Sequence, residues 1–237
     1  MNRPSGRQRD RLSDQAAATT RLLCARDPCP MIVLTAGDGA GKSTLLAGLE
    51  PLMQDVAFCS IDPTFLYPLQ EAPHMDWALQ THPREVIWKC APMVRSAFFV
   101  TTFSVLVEHY VKPNFRRRPI IIDSYWYRYL AKEMLQNPDG ANVFADLTQR
   151  LPRPDLVVEL TCDYSVAFSR KDSISPLETG SGINPQEDFI HFQYRVAQTV
   201  NKLLPADVPR VNLRSTTVAQ TTANFLATID AWIHDLE

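Results

Sequence analysis

Half of the glycines in this chain fall within one short segment, and this segment constrains the fold more than any other feature. Of 8 glycines in 237 residues, Gly37, Gly39, Gly41 and Gly48 lie within twelve positions. They follow an apolar, β-branched run at 31–35, typical of a buried strand, and lead into a helical pattern at 42–54. A strand, a glycine-rich turn and a helix in this order form a site where backbone N–H groups converge on an anion.

The side chains of this turn have the chemistry of a nucleotide phosphate loop. In TAGDGAGKST, Lys42 can reach the β- and γ-phosphates of a nucleotide and Ser43 can supply a hydroxyl to Mg²⁺. The pattern G-x-x-x-x-G-K-[ST] has glycine where this chain has Ala36, and an alanine fits there if its φ is negative. The alternative is a glycine-rich turn with an incidental lysine.

Alternating strand and helix patterns predict the architecture of the rest of the chain. Because the strands are continuously apolar and separated by helices, we predict an α/β three-layer sandwich of the P-loop type, with a five-stranded parallel sheet covered on both faces. A loop at 173–186 contains two glycines and two prolines. We expect Glu178 within this loop and Asp172 immediately before it to face solvent. The strands are predicted at 31–35, 56–61, 118–123, 155–161 and 210–213.

Residues 1–30 are predicted to be a mobile basic N-terminal tail. Residues 1–20 contain four arginines among Ser, Gln, Asp and Ala, and a segment of such low hydrophobicity is typical of a solvated tail. The folded domain is then expected to span 31–237, with a lid loop at about 172–186.

Composition excludes several classes of protein. The net charge of -2 and the pI of about 6.2 argue against a nucleic-acid-binding protein. The longest apolar run, 96–107, is shorter than the roughly 20 residues needed to cross a bilayer, so no membrane association is expected. The 5 cysteines include no C-x-x-C pair, which favours reduced thiols and a cytoplasmic location.

Asp123 is a candidate magnesium residue. It ends the predicted strand 118–123, and a carboxylate at that end of a buried parallel strand lies beside the phosphate loop in this fold class. There it can hold a water on the metal. Alternatively, Asp123 caps the helix that follows.

Taken together, these motifs resemble the thymidylate kinase family of nucleoside-monophosphate kinases. The phosphate loop is similar to that family's E-G-x-D-G-x-G-K-[ST]-T, and IIDSY at 121–125 resembles the strand end that carries D-R-Y. LPRPDLVV at 151–158 resembles the family's L-P-x-P-D-L-V strand. RKDSISPLETG at 170–180 resembles the lid of some members, and the helix after it is also similar. The resemblance covers residues 31–237 in the family's order.

The resemblance implies roles for individual residues. Asp38 matches the carboxylate that holds the acceptor's sugar 3′-hydroxyl, while Arg170 or Lys171 matches the lid cation that neutralises the moving phosphoryl group. Lys42 and Asp123 are the other implied catalytic residues, with Ser43 and Asp123 at the metal. The implied ATP-binding residues are Gly37, Asp38, Gly39, Ala40, Gly41, Lys42, Ser43, Thr44 and, at the adenine side, Arg214.

Departures from the family pattern fall on the acceptor side. The family's R-E-P is Ile-Asp-Pro at 61–63, with Asp62 in place of the glutamate, and Ser124 replaces the arginine of D-R-Y. Arg128 stands where the family often has serine, so the two residues exchange places. We expect both on one helix face, with Arg128 gripping an acceptor phosphate; the alternative is a surface arginine. Arg95 is the candidate base-contacting arginine, and Tyr125 a candidate for stacking on the base.

These observations predict ATP- and Mg²⁺-dependent phosphoryl transfer to a small acceptor, with a (deoxy)nucleoside monophosphate such as dTMP as the first candidate. Two alternatives stay open. A P-loop kinase of a nucleoside or other non-phosphorylated metabolite fits the missing arginines. A degenerate nucleotide-binding regulator fits Ala36, although Lys42, Ser43 and Asp123 argue against it. The oligomeric state is open as well, with a homodimer among the possibilities.

Overall fold

Five parallel strands form the central sheet, as the apolar runs predict. The computed structural model describes residues 6–60, 90–180 and 184–236. Within them the sheet has the order β2-β3-β1-β4-β5, and every neighbouring pair is parallel. The strands are β1 Met31–Ala36, β2 Ala57–Cys59, β3 Ile120–Asp123, β4 Leu156–Thr161 and β5 Arg210–Arg214.

The described helices cover both faces of this sheet. They are α1 Gly6–Cys24, α2 Lys42–Leu49, α3 Pro92–Leu106, α4 Trp126–Gln136, α5 Pro138–Thr148, α6 Tyr164–Ser169, α7 Pro176–Thr179, α8 Pro185–Leu203 and α9 Val218–His234. A 3₁₀ turn, Glu50–Leu52, extends α2. A π-type turn, Val107–Val111, and a single helical turn, Lys112–Asn114, follow α3. Side-chain oxygens of Asp163 and Thr217 cap the N-termini of α6 and α9. Among the described helices, none is long and apolar enough to cross a membrane.

Alternate residues of the buried strands divide the core into two layers. Met31 and Val33 of β1 face one side, where they pack with α3, α4, α5 and α8. Ile32 and Leu34 face the other side, where they pack with α1, α2 and α9. This alternation follows from the two-residue repeat of a β-strand, and it explains why both strand faces are apolar.

The N-terminal segment differs from its prediction. The prediction of a mobile tail is wrong for Gly6–Cys24, which form α1 and pack against α9. Ala16, Thr19 and Leu23 are fully buried, and their spacing of three and four places them on one helix face. The many charged and small residues around this narrow stripe lower the average hydrophobicity of the segment. Composition alone therefore does not indicate that one face of the helix is buried.

We therefore expect α1 to contribute to stability. Leu23→Ala should lower the Tm by about 5–10 °C, because removing a buried leucine side chain costs about 2–5 kcal/mol and 1 kcal/mol shifts the Tm of a chain this long by about 2–4 °C. Differential scanning calorimetry measures the shift. Arg21→Ala, an exposed position on the same helix, is the control and should change the Tm by less than about 2 °C. An unchanged Tm for Leu23→Ala would mean that α1 does not pack as described.

Two other elements depart from the sequence patterns. Helix α5 was not predicted, because Pro138 and Gly140 are turn-forming residues; proline is nevertheless accommodated in the first turn of a helix. Gly140 allows close packing, since a Cβ there would lie 2.4 Å from the Ser96 hydroxyl. The predicted helix at 83–111 with a break at Pro92 corresponds to α3 from Pro92 onward, and 83–89 lie outside the described residues.

Candidate active site

A cleft of about 750 Å³ lies at the carboxyl ends of β1 and β3. It is bounded by the phosphate loop, the start of α4, the lid segment after α6, and the β5–α9 connection. Among the described lining residues are five cations and three carboxylates, which gives this wall a surplus of positive charge. These charged residues are Lys42, Arg128, Lys132, Arg170 and Lys171, and Asp38, Asp123 and Glu178.

Glycine is required at two positions of the phosphate loop. Gly41 precedes α2 with φ 92°, and Gly39 has φ 79°. A Cβ on Gly39 would also lie 2.5 Å from the carbonyl oxygen of Ala167. Ala36, in contrast, ends β1 and is not among the described non-glycine residues with positive φ, which are Arg116 and Ser124. The alanine therefore fits where the full pattern has glycine.

Lys42 and Asp123 form an ion pair across the phosphate-loop side of the cleft. They meet because β1 and β3 are neighbours, with Leu34 opposite Asp123 in register. Ser60 Oγ lies 3.4 Å from the other oxygen of Asp123, and Ser43 lines the same wall. A hydroxyl and a carboxylate are the hard oxygen ligands that Mg²⁺ prefers. In the part of the chain that the structure describes, no cluster of three His, Cys, Asp or Glu side chains could hold a metal by itself.

The carboxylate of Asp38 lies at the centre of the other half of the cleft. Its Oδ2 lies 3.0 Å from Arg128 Nη2, 2.9 Å from Lys132 Nζ and 3.0 Å from Gln193 Nε2. Burial alone would raise the pKa of Asp38, but the two cations outweigh it and hold this pKa well below its usual range. Three donors thus converge on one oxygen of an ionised carboxylate.

Arg128 and Lys132 lie one turn apart on α4 and both line the cleft. The Arg128 side chain is only 7% exposed, so the alternative of a surface arginine is wrong. Burial lowers the pKa of Lys132, and Asp38 opposes this shift. Sequence analysis did not identify Lys132, although its position four residues after Arg128 was a usable signal.

Ser124 lines the cleft but lies outside the helix. It precedes α4, which begins at Trp126, and has φ 45°, so the expected shared helix face with Arg128 is wrong. Its N–H donates to the Leu34 carbonyl at 2.9 Å, which ties the end of β3 to β1. Ser124 and Arg128 nevertheless border the same cleft.

The lid segment supplies two further cations. Arg170 is exposed, while Lys171 forms an ion pair with Glu178 at 2.8 Å. The prediction that Glu178 faces solvent is wrong: it is 7% exposed, and one of its oxygens accepts from the Ser175 N–H at 2.9 Å. Asp172 is exposed, as predicted.

Three predicted site residues are not among those that line the cleft. Arg95 is buried between α3 and α4, where its Nε lies 2.7 Å from Glu133 Oε1. Tyr125 is in the core, its hydroxyl donates to the Pro152 carbonyl at 3.1 Å, and burial raises its pKa. Arg214 is exposed at the end of β5, and the residues after it, Ser215 and Thr216, line the cleft instead. Asp62 lies outside the described residues.

Comparisons with known proteins identify the fold. No family model matches the chain, and no curated protein matches it in sequence. Thymidylate kinase from Candida albicans is similar in structure, with a TM-score of 0.59 at 16% identity over 85% of this chain and 91% of that one. Thymidylate kinase from Ehrlichia chaffeensis has a TM-score of 0.56 at 12% identity, over 85% of this chain and 98% of that one. Deoxyadenosine kinase from M. mycoides, a structure with bound dATP, has a TM-score of 0.56 at 14% identity, over 84% of this chain and 99% of that one.

The chain therefore has the P-loop kinase fold of these neighbours. The strand order, the phosphate loop between β1 and α2, and the cleft at the carboxyl ends of the strands agree with this assignment.

Proposed function

We propose that this protein is a kinase that transfers the γ-phosphoryl group of ATP to a nucleoside monophosphate. The observation that carries this proposal is a pair of cations that line the cleft, buried Arg128 and partly buried Lys132. Among the described residues, Asp38 is the carboxylate that forms ion pairs with both. Because these two cations share one ion-pair partner among the described residues and both face the cleft, they favour an additional anion there. A phosphorylated acceptor supplies that anion.

The phosphate loop is the proposed ATP site. Backbone N–H groups of residues 37–44 surround the phosphates, and Lys42 exchanges its pairing with Asp123 for the β- and γ-phosphates. Ser43 and Asp123 would hold Mg²⁺, which would supply positive charge to the transferring phosphoryl group. Arg170 and Lys171 add positive charge from the lid. Phosphoryl transfer depends on positioning and charge, so no protein nucleophile is needed.

Asp38 and the two α4 cations form the proposed acceptor site. The described hydrogen bonds and ion pairs of the Asp38 carboxylate all involve Oδ2, so Oδ1 can accept a hydrogen bond from a sugar hydroxyl. The planar guanidinium of Arg128 can bind two phosphate oxygens at once, and Lys132 adds a point charge beside it. The finer proposal is a deoxynucleotide such as dTMP, which rests on the resemblance of the phosphate loop to that of thymidylate kinases.

A nucleoside kinase is the second candidate. Ser124 replaces an arginine that would hold the acceptor's phosphate, and a deoxyadenosine kinase shares the fold. In that case an acceptor hydroxyl would approach Asp38, and Arg128 and Lys132 would have no phosphate to bind.

The five cysteines, all free thiols, support the cytoplasmic location that we also propose.

A thermal-shift comparison of matched acceptors tests the proposal. We expect dTMP or another nucleoside monophosphate, together with ADP, to raise the Tm by about 5–10 °C beyond ADP alone, and the corresponding nucleoside to add less than about 2 °C. A ligand at 100 times its Kd stabilises by about 2.7 kcal/mol, which produces a shift of this size. If nucleosides shift the Tm and their monophosphates do not, the second candidate is correct.

A further inference from the structure

Gln193 connects three parts of the site. It lies on α8 and its side chain is fully buried. Its Oε1 accepts hydrogen bonds from the Asp38 N–H at 3.1 Å and from Arg128 Nη2 at 2.5 Å. Its Nε2 donates to Asp38 Oδ2 at 3.0 Å and to the Glu178 carbonyl at 3.1 Å. One amide thus contacts the phosphate loop, helix α4 and the lid segment.

The hydrogen-bonding capacity of this amide is fully used. A glutamine side chain has two N–H donors and one carbonyl oxygen with two lone pairs, and Gln193 has a partner for each of the four. It therefore has no group left for a ligand and acts through its neighbours. A glutamate in its place would lack both donors and would turn lone pairs towards Asp38 and the Glu178 carbonyl.

The bond to Glu178 extends this network into the lid. The Glu178 side chain pairs with Lys171 and accepts from the Ser175 N–H, so it closes the segment 171–178 on itself. Only its backbone carbonyl accepts from Gln193. This hydrogen bond adds to the packing of α7 against α8 and links the closed segment to the Asp38–Arg128 cluster.

We propose that Gln193 is a positioning residue that holds the lid segment against the acceptor cluster. The consequence for turnover rests on the proposed function: Gln193 orients the guanidinium of Arg128 and the carboxylate of Asp38, which bind the acceptor. Through its bond to the Glu178 carbonyl, the same amide keeps the segment that carries the lid cations beside the acceptor cluster.

Tryptic cleavage of the unliganded protein tests the tie without any substrate. Lys171 is paired with Glu178, so trypsin cleaves after it when the lid opens, and the fragments are identified by mass. Gln193→Met, which keeps the volume but loses all four hydrogen bonds, should increase this cleavage rate about three- to tenfold. Gln198→Met, an exposed position on the same helix, is the matched control and should leave the rate unchanged. A Gln193→Met protein that is folded and cleaved no faster than wild type overturns the proposal.

Hydrogen exchange of the wild-type protein provides a second measurement if Gln193→Met does not fold. The backbone N–H groups of Ser175 and Glu178, bonded within the segment, should exchange at least about tenfold more slowly than in an unstructured chain. If these two N–H groups exchange at the rate of an unstructured chain, the segment 171–178 is not closed, and the proposal is overturned.

Kinetics distinguish this inference from the proposed function. With ATP and dTMP, Gln193→Met should raise the KM for dTMP at least about fivefold and leave the KM for ATP within about twofold, because the residue contacts Asp38 and Arg128 rather than Lys42. Equal increases in both values would indicate a general structural role and would contradict the positioning role. If the wild-type protein phosphorylates no acceptor, the proposed function fails while the tryptic result still decides the tie.

Discussion

Lys42→Ala should reduce kcat about 10²- to 10³-fold, the largest effect expected of any single substitution in this chain. Lys42 is the one cation of the phosphate loop, and loss of a group that stabilises charge in the transition state commonly costs this much. Initial rates of ADP formation at saturating ATP and acceptor measure the loss. The substitution also leaves Asp123 without its ion-pair partner, so the melting temperature must be recorded alongside the rate.

Lys202→Ala is the matched control, because Lys202 is exposed near the end of α8, and its rate should equal that of wild type. A Lys42→Ala protein with near-normal turnover would contradict the assignment of the loop to ATP phosphates. If turnover falls and the protein is also unfolded, Lys42→Arg, which keeps a cation, separates the two causes.

Loss of the Arg128 or Lys132 side chain should weaken binding of the acceptor without affecting binding of ATP. Arg128→Met and Lys132→Met should each raise the acceptor KM or lower kcat at least about tenfold, since a hydrogen bond to a charged group contributes about 1.5–3 kcal/mol. The KM for ATP should stay within about twofold. Steady-state kinetics with each substrate varied in turn provide the measurement.

Arg195→Met, an exposed position on α8, is the control for this pair and should behave as wild type. Unchanged acceptor kinetics in both variants would show that the two cations only balance Asp38. The preferred acceptor would then be one without a phosphate, in agreement with the second candidate function.

The sheet could be predicted because its information is local. Each buried strand is a short apolar run, such as Ile120–Asp123, and the phosphate loop needs its glycines within one segment. Such patterns can be recognised from neighbouring residues alone, without knowledge of the rest of the chain. Helix α1 could not be predicted in the same way, since its buried stripe has meaning only against the complementary face of α9.

The acceptor half of the site was predicted less completely because it depends on contacts between distant segments. Asp38 and Arg128 were identified from the sequence, whereas Lys132 and Gln193 were missed, and Gln193 lies 155 positions from Asp38. Arg95 carried a suitable charge, but nothing local indicated that Glu133 would take it as a partner. Long-range pairing of charges therefore limits how far a site can be derived from sequence alone.

The central claim is that the acceptor already carries a phosphate, and ³¹P NMR of one reaction mixture tests it most directly. The purified protein is incubated with ATP, Mg²⁺ and an equimolar mixture of thymidine and dTMP. We predict that the dTMP signal falls as dTDP signals appear beside those of ADP, and that the sum of dTMP and dTDP stays constant because thymidine is not phosphorylated. With Lys42→Ala, no dTDP should be detected over the same time. The appearance of new dTMP from thymidine, without any diphosphate of the acceptor, would contradict the account.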